Sequence, residues 1–435
     1  MTLPSLNQDP NAVYKYLGVK QSLVFGKTEI KENLINTYTM RVKKILSTSL
    51  NGFNKIKGIN TWCIPILTYS FGVVPWTTTD LQNLDRRTRV LMTEYRMHHP
   101  KACTERLYLP RKRGGQGLIN LERQANKEVE NLKKYFFKKK DQSVLHKEII
   151  DNDDNYSASN LKNEEMPVQV HSDKDLEENW KNKTLHGRFK KAIDESHTSS
   201  NDWLQKQSSI YCETEGFIMA IQDQVIKTKN YVKYIQKLDI PNDTCRVCHQ
   251  VSETIQHITS ACSALAQTEY LYRHNLSAKL VHQYLANKHE LVTNKQLHFK
   301  YDPEPILENN KFKLYWDTTI VTDRHLPNNR PDIILVDKEE KTVKLIDIAH
   351  PNDHNLLPSM SEKIRKYQDL GIEIKDMWNM NTVDIIPVII STNGLIHPSL
   401  YEHCKKINLP SYIISKIQKS VLLETCRIVR KVLSF

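Results

Sequence analysis

Four potential zinc ligands are spaced as Cys245-x2-Cys248-x8-His257-x4-Cys262. Two cysteines separated by two residues can wrap one side of a tetrahedral zinc ion, and a histidine and a cysteine from a following turn or helix can close the other side. Three thiolates with one imidazole suit zinc. His249 is a nearby competitor, but directly after Cys248 it would strain the cysteine turn. The spacing therefore predicts a small zinc knuckle, which we place within residues 241–290.

The other five cysteines are scattered along the chain, which is typical of small buried apolar side chains. They are Cys63, Cys103, Cys212, Cys404 and Cys426. In a reducing compartment, a cysteine cluster indicates metal binding before disulfide formation. The first residues lack a basic region followed by an apolar one, and no run reaches the roughly 18 apolar residues of a membrane span. We therefore expect a nuclear protein, synthesised in the cytoplasm, with no membrane partner.

The chain is basic, with 62 Lys and Arg against 50 Asp and Glu and a net charge of +12. Such an excess favours a polyanionic partner, because lysines and arginines that neutralise phosphates release condensed counterions. Charge alone leaves two classes open, a nucleic-acid-binding protein and a merely soluble basic one. A hydrophobic content of 39% over 435 residues predicts several globular domains.

The pattern of apolar residues divides the sequence into four segments. Residues 1–125 have apolar residues at helical spacing, with Thr77 to Thr79 as candidate helix N-caps. Residues 126–240 are rich in charge, and we interpret them as a linker of exposed helices with some disorder. After the knuckle at 241–290, residues 300–435 alternate short strands with helices, which predicts a separate α/β domain.

Two acids flank the strands of a predicted β-hairpin at residues 329–350, which read NRPDIILVDKEEKTVKLIDIAH. Asp332 comes directly before the first apolar run, and Asp347 lies near the end of the second. Clustered carboxylates suit Mg²⁺ or Mn²⁺, and nucleases that use these ions also need a lysine to neutralise the attacked phosphate or to polarise the attacking water. An ordinary hairpin with two solvated acids is the alternative.

The lysine that such a nuclease site needs is displaced in this sequence. Its usual position, two residues after the second acid, holds Ala349. The next predicted helix contains SEKIRKYQDL, in which Glu362 and Lys366 are four residues apart, as are Lys363 and Tyr367. Residues four apart are neighbours on one side of a helix. Each feature alone fits an ordinary exposed helix, but together with a zinc knuckle in a basic chain they favour a nuclease.

The order of these motifs resembles the C-terminal end of the polyproteins of non-LTR retrotransposons. The zinc knuckle is followed in order by RHN, RPDIILVD, IDIA, EKIRKY and IPVIIS. This order is similar to that in the elements that carry a restriction-like endonuclease instead of an apurinic-type one. YKYLGV resembles the strand that follows the palm of their reverse transcriptases, and LDRRTRVLMTEYRMHHPKACTERLYLPRKRGGQGLINLE resembles part of the thumb. The resemblance covers most of the chain apart from roughly residues 130–200.

This resemblance implies a role for each residue of the C-terminal motifs. The candidate catalytic residues are Asp332, Asp347, Glu362, Lys363, Lys366 and Tyr367. The two aspartates match the metal-binding acids, and Lys363 matches a catalytic lysine displaced onto the helix. The implied folds are a thumb-like helical N-terminal half, a zinc knuckle and a restriction-endonuclease-like C-terminal domain. The implied cofactors are structural Zn²⁺ and catalytic Mg²⁺ or Mn²⁺, and the implied partners are target DNA and element RNA.

Basic residues in three regions are candidate nucleic-acid contacts. The sequences RRTR and RKRGG of the thumb-like region could follow a duplex backbone, with glycine allowing close approach, or could form a solubilising face. The RHN motif after the knuckle could contact phosphate or cover a solvated helix face. The candidates are Arg86, Arg87, Arg89, Arg111, Lys112, Arg113, Arg273, His274 and Arg330.

The family's enzyme nicks chromosomal DNA and uses the freed 3′ end to prime reverse transcription of its own RNA. Its polymerase needs palm carboxylates in an aromatic-Ala-Asp-Asp turn, which this sequence lacks, and DNDDNY at 151–156 has no flanking apolar strands. We therefore expect a Mg²⁺-dependent nicking endonuclease without polymerase activity, from a truncated element or reading frame. The alternative is a catalytically inactive or domesticated nucleic-acid-binding remnant.

Overall fold

The computed structural model describes residues 14–16, 19–21, 27–153, 159–205, 209–293, 296–298 and 300–434. The chain divides into two compact units. The first comprises Met1–Asn182 and Ser209–Phe217, and the second comprises Lys183–Ser208 and Ile218–Phe435. The four-part division expected from the sequence stays a prediction.

The first unit is helical apart from two short antiparallel strands. Its strands are β1 (Tyr14–Tyr16) and β2 (Val19–Gln21), and its helices are α1 (Lys27–Leu46), α2 (Gly52–Gly58), α3 (Ile64–Thr68), α4 (Thr78–Glu94), α5 (Thr104–Tyr108), α6 (Leu121–Lys139), α7 (Val144–Asp151) and α8 (Asp173–Asn182). Residues 17–18 of the YKYLGV motif lie outside the described residues.

Helix α4 begins where the sequence predicts it, at a capping box. The Thr77 hydroxyl accepts the backbone N–H of Asp80, and the Asp80 carboxylate accepts the backbone N–H of Thr77. These reciprocal bonds satisfy donors that a helix N-terminus would otherwise leave unpaired. Leu81, Leu84 and Leu91 at helical spacing are buried, so α4 packs one apolar face into the core of the first unit.

The charged segment that follows has buried side chains of its own. Helix α6 begins at Leu121, so the boundary predicted at residue 125 falls inside a helix. Trp180 of α8 is fully buried, and the guanidinium of Arg106 lies 5.0 Å from the centroid of its ring. Part of the segment therefore belongs to the folded core of the first unit. Residues 154–158 of the expected disordered stretch lie outside the described residues.

The second unit combines helices with a five-stranded sheet. Its strands are β3 (Ile306–Glu308), β4 (Phe312–Trp316), β5 (Ile333–Asp337), β6 (Thr342–Ala349) and β7 (Thr382–Ile389). Its helices are α9 (Gly187–Asp194), α10 (Cys212–Gln222, which begins in the first unit), α11 (Ser263–Leu265), α12 (Leu271–Lys288), α13 (Leu356–Lys366), α14 (Gln368–Met377), α15 (Ser399–Lys406) and α16 (Ser411–Leu433).

The strands of this sheet lie in sequence order, β3-β4-β5-β6-β7. The first four pair antiparallel, and β6 pairs parallel with β7. A parallel pair needs a crossover, which α13 and α14 supply between β6 and β7. The alternation of short strands with helices expected over residues 300–435 is therefore present.

Strand β5 is apolar along its length because both of its faces are covered. Ile333 and Leu335 belong to one buried cluster with residues of α12, α15 and α16. Ile334 and Val336 belong to a second cluster with residues of α14. Successive strand side chains point to opposite faces, so a sheet packed on both sides needs this continuous apolar run.

One predicted element differs in the structure. The predicted helix that contains SEKIRKYQDL is two helices, α13 and α14, which meet at Tyr367. Tyr367 is buried in the sheet's second cluster, so tertiary contacts decide where the helix breaks. None of the helices in the described residues is long and apolar enough to cross a membrane.

Candidate metal centre and carboxylate site

The four predicted zinc ligands come together in the second unit. One ligand atom from each of Cys245, Cys248, His257 and Cys262 lies within 4.8 Å of the others. Cys248 Sγ and His257 Nε2 are 3.3 Å apart. His249 is outside the group and has a left-handed backbone, with φ of 55°. The four side chains could hold a metal ion, and this donor set is compatible with structural zinc.

An ion pair between Arg246 and the buried Glu253 stabilises the turn that carries the first two cysteines. Glu253 is fully buried and accepts hydrogen bonds from Arg246 Nε and Nη2 at 2.9 and 2.8 Å. The same carboxylate accepts the backbone N–H groups of Arg246 and Lys229, each at 2.9 Å. Because Arg246 lies between Cys245 and Cys248, these bonds fix the spacing of the two thiols.

The first turn of α12 and the residue before it hold the histidine and cysteine side of the knuckle. The Tyr270 hydroxyl accepts the backbone N–H of Cys262 at 3.1 Å and lies 2.7 Å from the Ile258 carbonyl. Arg273 is 2% exposed, and its Nη1 donates to Thr259 O and to Thr425 Oγ1. The prediction that Arg273 contacts nucleic acid needs correction, because its guanidinium is used inside the protein.

The two predicted acids are neighbours across the β5–β6 hairpin. The antiparallel register pairs Ile333 with Ile346, so Asp332 and Asp347 occupy the next opposed positions. Asp332 Oδ2 accepts the backbone N–H of Ile348 at 2.6 Å and lies 3.0 Å from His274 Nε2. Cross-strand pairing thus places two carboxylates at one end of the hairpin.

Residues of α13 complete the carboxylate site. Lys363 Nζ lies 2.7 Å from Asp347 Oδ2. The Tyr367 hydroxyl donates to Asp347 Oδ1 at 2.7 Å and accepts from Lys366 Nζ at 2.9 Å. Asp347 is 2% exposed. Among the described residues, its Oδ2 has the ion pair with Lys363 but receives no hydrogen bond. Glu362 is exposed on the same helix.

Charged side chains of the carboxylate site shift one another's pKa values. Burial raises the pKa of the Asp347 carboxyl, and the charge of Asp332 raises it further. Burial would lower the pKa of Lys363, but the charges of Asp347 and Asp332 and the bond to Asp347 together raise it. Burial would also lower the pKa of His274, but the bond to Asp332, the charges of Asp332 and Asp347 and the bond to Asn275 together raise it to about 9. Each acid therefore has one cationic partner at neutral pH.

His274 lies at the carboxylate site, which the sequence did not predict. It was expected to contact phosphate or to cover a solvated helix face. The residue is 58 positions from Asp332 in the chain, and no local pattern joins the two. The one signal in the sequence is that His274 directly follows Arg273 in the helix. Adjacent helical residues point in different directions, so the two side chains are expected to contact different parts of the protein.

The basic candidates of the first unit divide into exposed and internal side chains. Arg111 is buried and forms a two-pronged pair with Glu215 at 3.0 and 2.7 Å. The prediction that Arg111 contacts nucleic acid needs correction, because its charge is satisfied inside the core. Arg89 donates to the Tyr108 hydroxyl, and Arg113 lies 3.5 Å from Glu177. Exposed side chains are those of Arg86, Arg87, Lys112 and Arg113.

Arg330 lies beside the carboxylate site at the surface. Its guanidinium forms a two-pronged pair with the Asp317 carboxylate at 2.8 and 2.7 Å, and it is 57% exposed. Its backbone carbonyl lies 3.1 Å from the Tyr367 hydroxyl. The exposed guanidinium of Arg330 therefore has a carboxylate partner within its own domain.

No protein-family model matches the chain, and no curated protein matches it in sequence. The resemblance to non-LTR retrotransposons stays a prediction that rests on the quoted motifs.

Proposed function

We propose that this chain is a metal-dependent endonuclease of a non-LTR retrotransposon, which nicks one strand of target DNA. The observation that carries the proposal is the meeting of Asp332, Asp347 and Lys363 at one end of the β5–β6 hairpin. Two carboxylates and a lysine are the groups that metal-dependent phosphodiester hydrolysis requires. In the family that the sequence resembles, the nick supplies the 3′ end that primes reverse transcription of element RNA.

The donor chemistry of the two acids fits a hard divalent cation. Mg²⁺ and Mn²⁺ favour carboxylate oxygens, and Mg²⁺ is commonly held by one or two carboxylates and several waters. Both donors that reach Asp332 bind Oδ2, and within the described part of the chain Oδ1 receives no hydrogen bond. Asp347 is buried beside a like charge, which a cation between the two acids would relieve.

Each side chain has a defined task in the proposed reaction. Asp332 and Asp347 would hold the ion, which when bound supplies polarisation of the scissile phosphate and of the attacking water. Lys363 neutralises charge that develops on the phosphate. Tyr367 holds Asp347 Oδ1, and Lys366 in turn holds the Tyr367 hydroxyl. Arg330 contacts the DNA backbone next to the cleaved bond.

The same proposal assigns the remaining parts of the chain. The second unit contains the restriction-endonuclease-like domain and the structural zinc knuckle. The helical first unit corresponds to the thumb and contacts RNA or DNA through exposed basic residues such as Arg86 and Arg87. A nuclease that acts on chromosomal DNA works in the nucleus.

One observation favours a second function, that of a nucleic-acid-binding remnant without catalysis. The Tyr367 hydroxyl donates to Asp347 Oδ1, and Lys363 Nζ forms an ion pair with Oδ2 at 2.7 Å. A carboxylate closed onto its own chain in this way binds a metal only if Lys363 moves aside. With this second function, the chain would bind nucleic acid in a salt-sensitive manner and leave it intact.

Incubation of the full-length chain with supercoiled plasmid separates the two functions. The endonuclease converts supercoiled DNA to nicked circles with Mg²⁺ or Mn²⁺ and stops when EDTA is added. The remnant retards the plasmid at low salt but leaves it supercoiled at every metal concentration. Binding without metal-dependent nicking would contradict the proposed function.

A further inference from the structure

Helix α12 is attached at its start to the backbone of the zinc knuckle. The Tyr270 hydroxyl, one residue before the helix, accepts the N–H of the ligand Cys262 at 3.1 Å. Arg273 donates to the carbonyl of Thr259 at 2.9 Å, two residues after the ligand His257. Both contacts engage backbone atoms of the segment 257–262, so the position of this turn of α12 depends on the conformation of the knuckle.

The same turn of the helix reaches the carboxylate site. His274 directly follows Arg273, and its Nε2 lies 3.0 Å from Asp332 Oδ2. Its Nδ1 lies 3.1 Å from Asn275 Oδ1, so both ring nitrogens are engaged. One turn further along α12, the Ser277 hydroxyl lies 2.9 Å from Nε2 of His350, which follows β6. The helix is therefore joined to the residue that precedes β5 and to the residue that follows β6.

The contact with His274 orients Asp332. The backbone of Asp332 is held by a bond from Asp317 N to its carbonyl at 2.8 Å. Its side chain is held by Ile348 N and His274, both at Oδ2. This arrangement turns Oδ1 away from the donors of the protein and leaves it for a ligand. Groups that orient a metal-binding carboxylate in this way set its affinity for the metal.

We propose that His274 is a positioning residue for Asp332, and that the first turn of α12 joins the fold of the zinc knuckle to the carboxylate site. This inference rests on the proposed function, because it assumes that Asp332 binds a divalent cation. The knuckle then supports the carboxylate site structurally, through α12, although its four zinc ligands do not contact that site.

Binding of Mn²⁺ to the full-length, zinc-loaded chain, followed by the electron paramagnetic resonance signal of the free ion, tests this proposal without relying on activity. We expect His274→Ala to weaken Mn²⁺ affinity about tenfold or more. His274→Gln, which can place an amide donor where Nε2 lies, should restore most of the affinity. Tyr270→Phe should weaken Mn²⁺ binding while cobalt substituted at the cysteines keeps its thiolate absorption.

Lys279→Ala is the matched control, because Lys279 is on the same helix and pairs with Asp302 at 2.8 Å. It should bind Mn²⁺ as the wild type does. If Asp332→Asn abolishes Mn²⁺ binding but His274→Ala leaves it unchanged, the positioning role is wrong and the proposed function stands. If Asp332→Asn and Asp347→Asn both bind Mn²⁺ normally, the metal assignment is wrong and the positioning role falls with it.

Discussion

Asp85 is a buried carboxyl whose protonation is coupled to the stability of the first unit. It accepts the backbone N–H of Leu121 at 3.2 Å and the side-chain amide of Asn120 at 3.1 Å. Burial raises the pKa of this carboxyl from its ordinary value of 3.8 to about 7. The folded state therefore holds the proton more tightly than the unfolded state. Stability must fall as pH rises between these two pKa values.

We predict that Asp85→Asn removes this part of the pH dependence, because an amide keeps an acceptor for both donors and does not ionise. Relative to the wild type, the variant should gain roughly 2–4 kcal/mol in free energy of unfolding between pH 4 and pH 8. Urea unfolding at both pH values measures the change. Asp80→Asn is the control: bonds from Lys31 and Thr77 outweigh burial and lower the Asp80 pKa from 3.8, so its pH dependence lies below about pH 4 and the change between pH 4 and pH 8 should match the wild type. Equal pH dependence in Asp85→Asn and wild type would refute the coupling.

At the scale of single elements, the turn of the knuckle depends on the Arg246–Glu253 pair. We predict that Glu253→Gln destabilises this turn by about 3 kcal/mol, because Arg246 loses a fully buried charged partner. The expected result is faster zinc release to a chromogenic chelator and a lower midpoint of thermal unfolding. Glu339→Gln, which breaks an exposed pair with Lys311, should change neither value. Zinc release at the wild-type rate from Glu253→Gln would count against this role.

The spacing of residues along the sequence predicts those sites and elements whose residues lie close together in the chain. The four zinc ligands lie together as their spacing predicts, and the hairpin with Asp332 and Asp347 has its expected strands. The break at Tyr367 is not visible in the sequence, and the contact that Tyr367 makes there, with Asp347, lies 20 positions away in the chain. The roles of Arg111 and Arg273 were wrong for a related reason. Charge patterns do not show whether a guanidinium has an acceptor inside the protein.

For the whole molecule, the excess of basic residues is expected to act through the exposed arginines of α4. We predict that Arg86→Gln combined with Arg87→Gln weakens binding to duplex nucleic acid. The slope of log affinity against log salt should fall by about 2, because two phosphate contacts are lost. Fluorescence anisotropy from 50 to about 200 mM salt measures this slope. The pair Lys43→Gln and Lys44→Gln on α1 removes the same charge, and an equal loss from both pairs would mean that net charge alone is responsible.

The proposed function depends on a catalytic metal site formed by Asp347, Asp332 and Lys363. Single-turnover nicking of supercoiled DNA by the zinc-loaded chain measures this dependence, with Asp347→Asn compared against Asp384→Asn. Asp384 lies on β7 of the same sheet and pairs with Lys344. We predict that Asp347→Asn slows nicking at least about a hundredfold and that Asp384→Asn nicks at the wild-type rate. Nicking at the wild-type rate by Asp347→Asn would contradict this dependence.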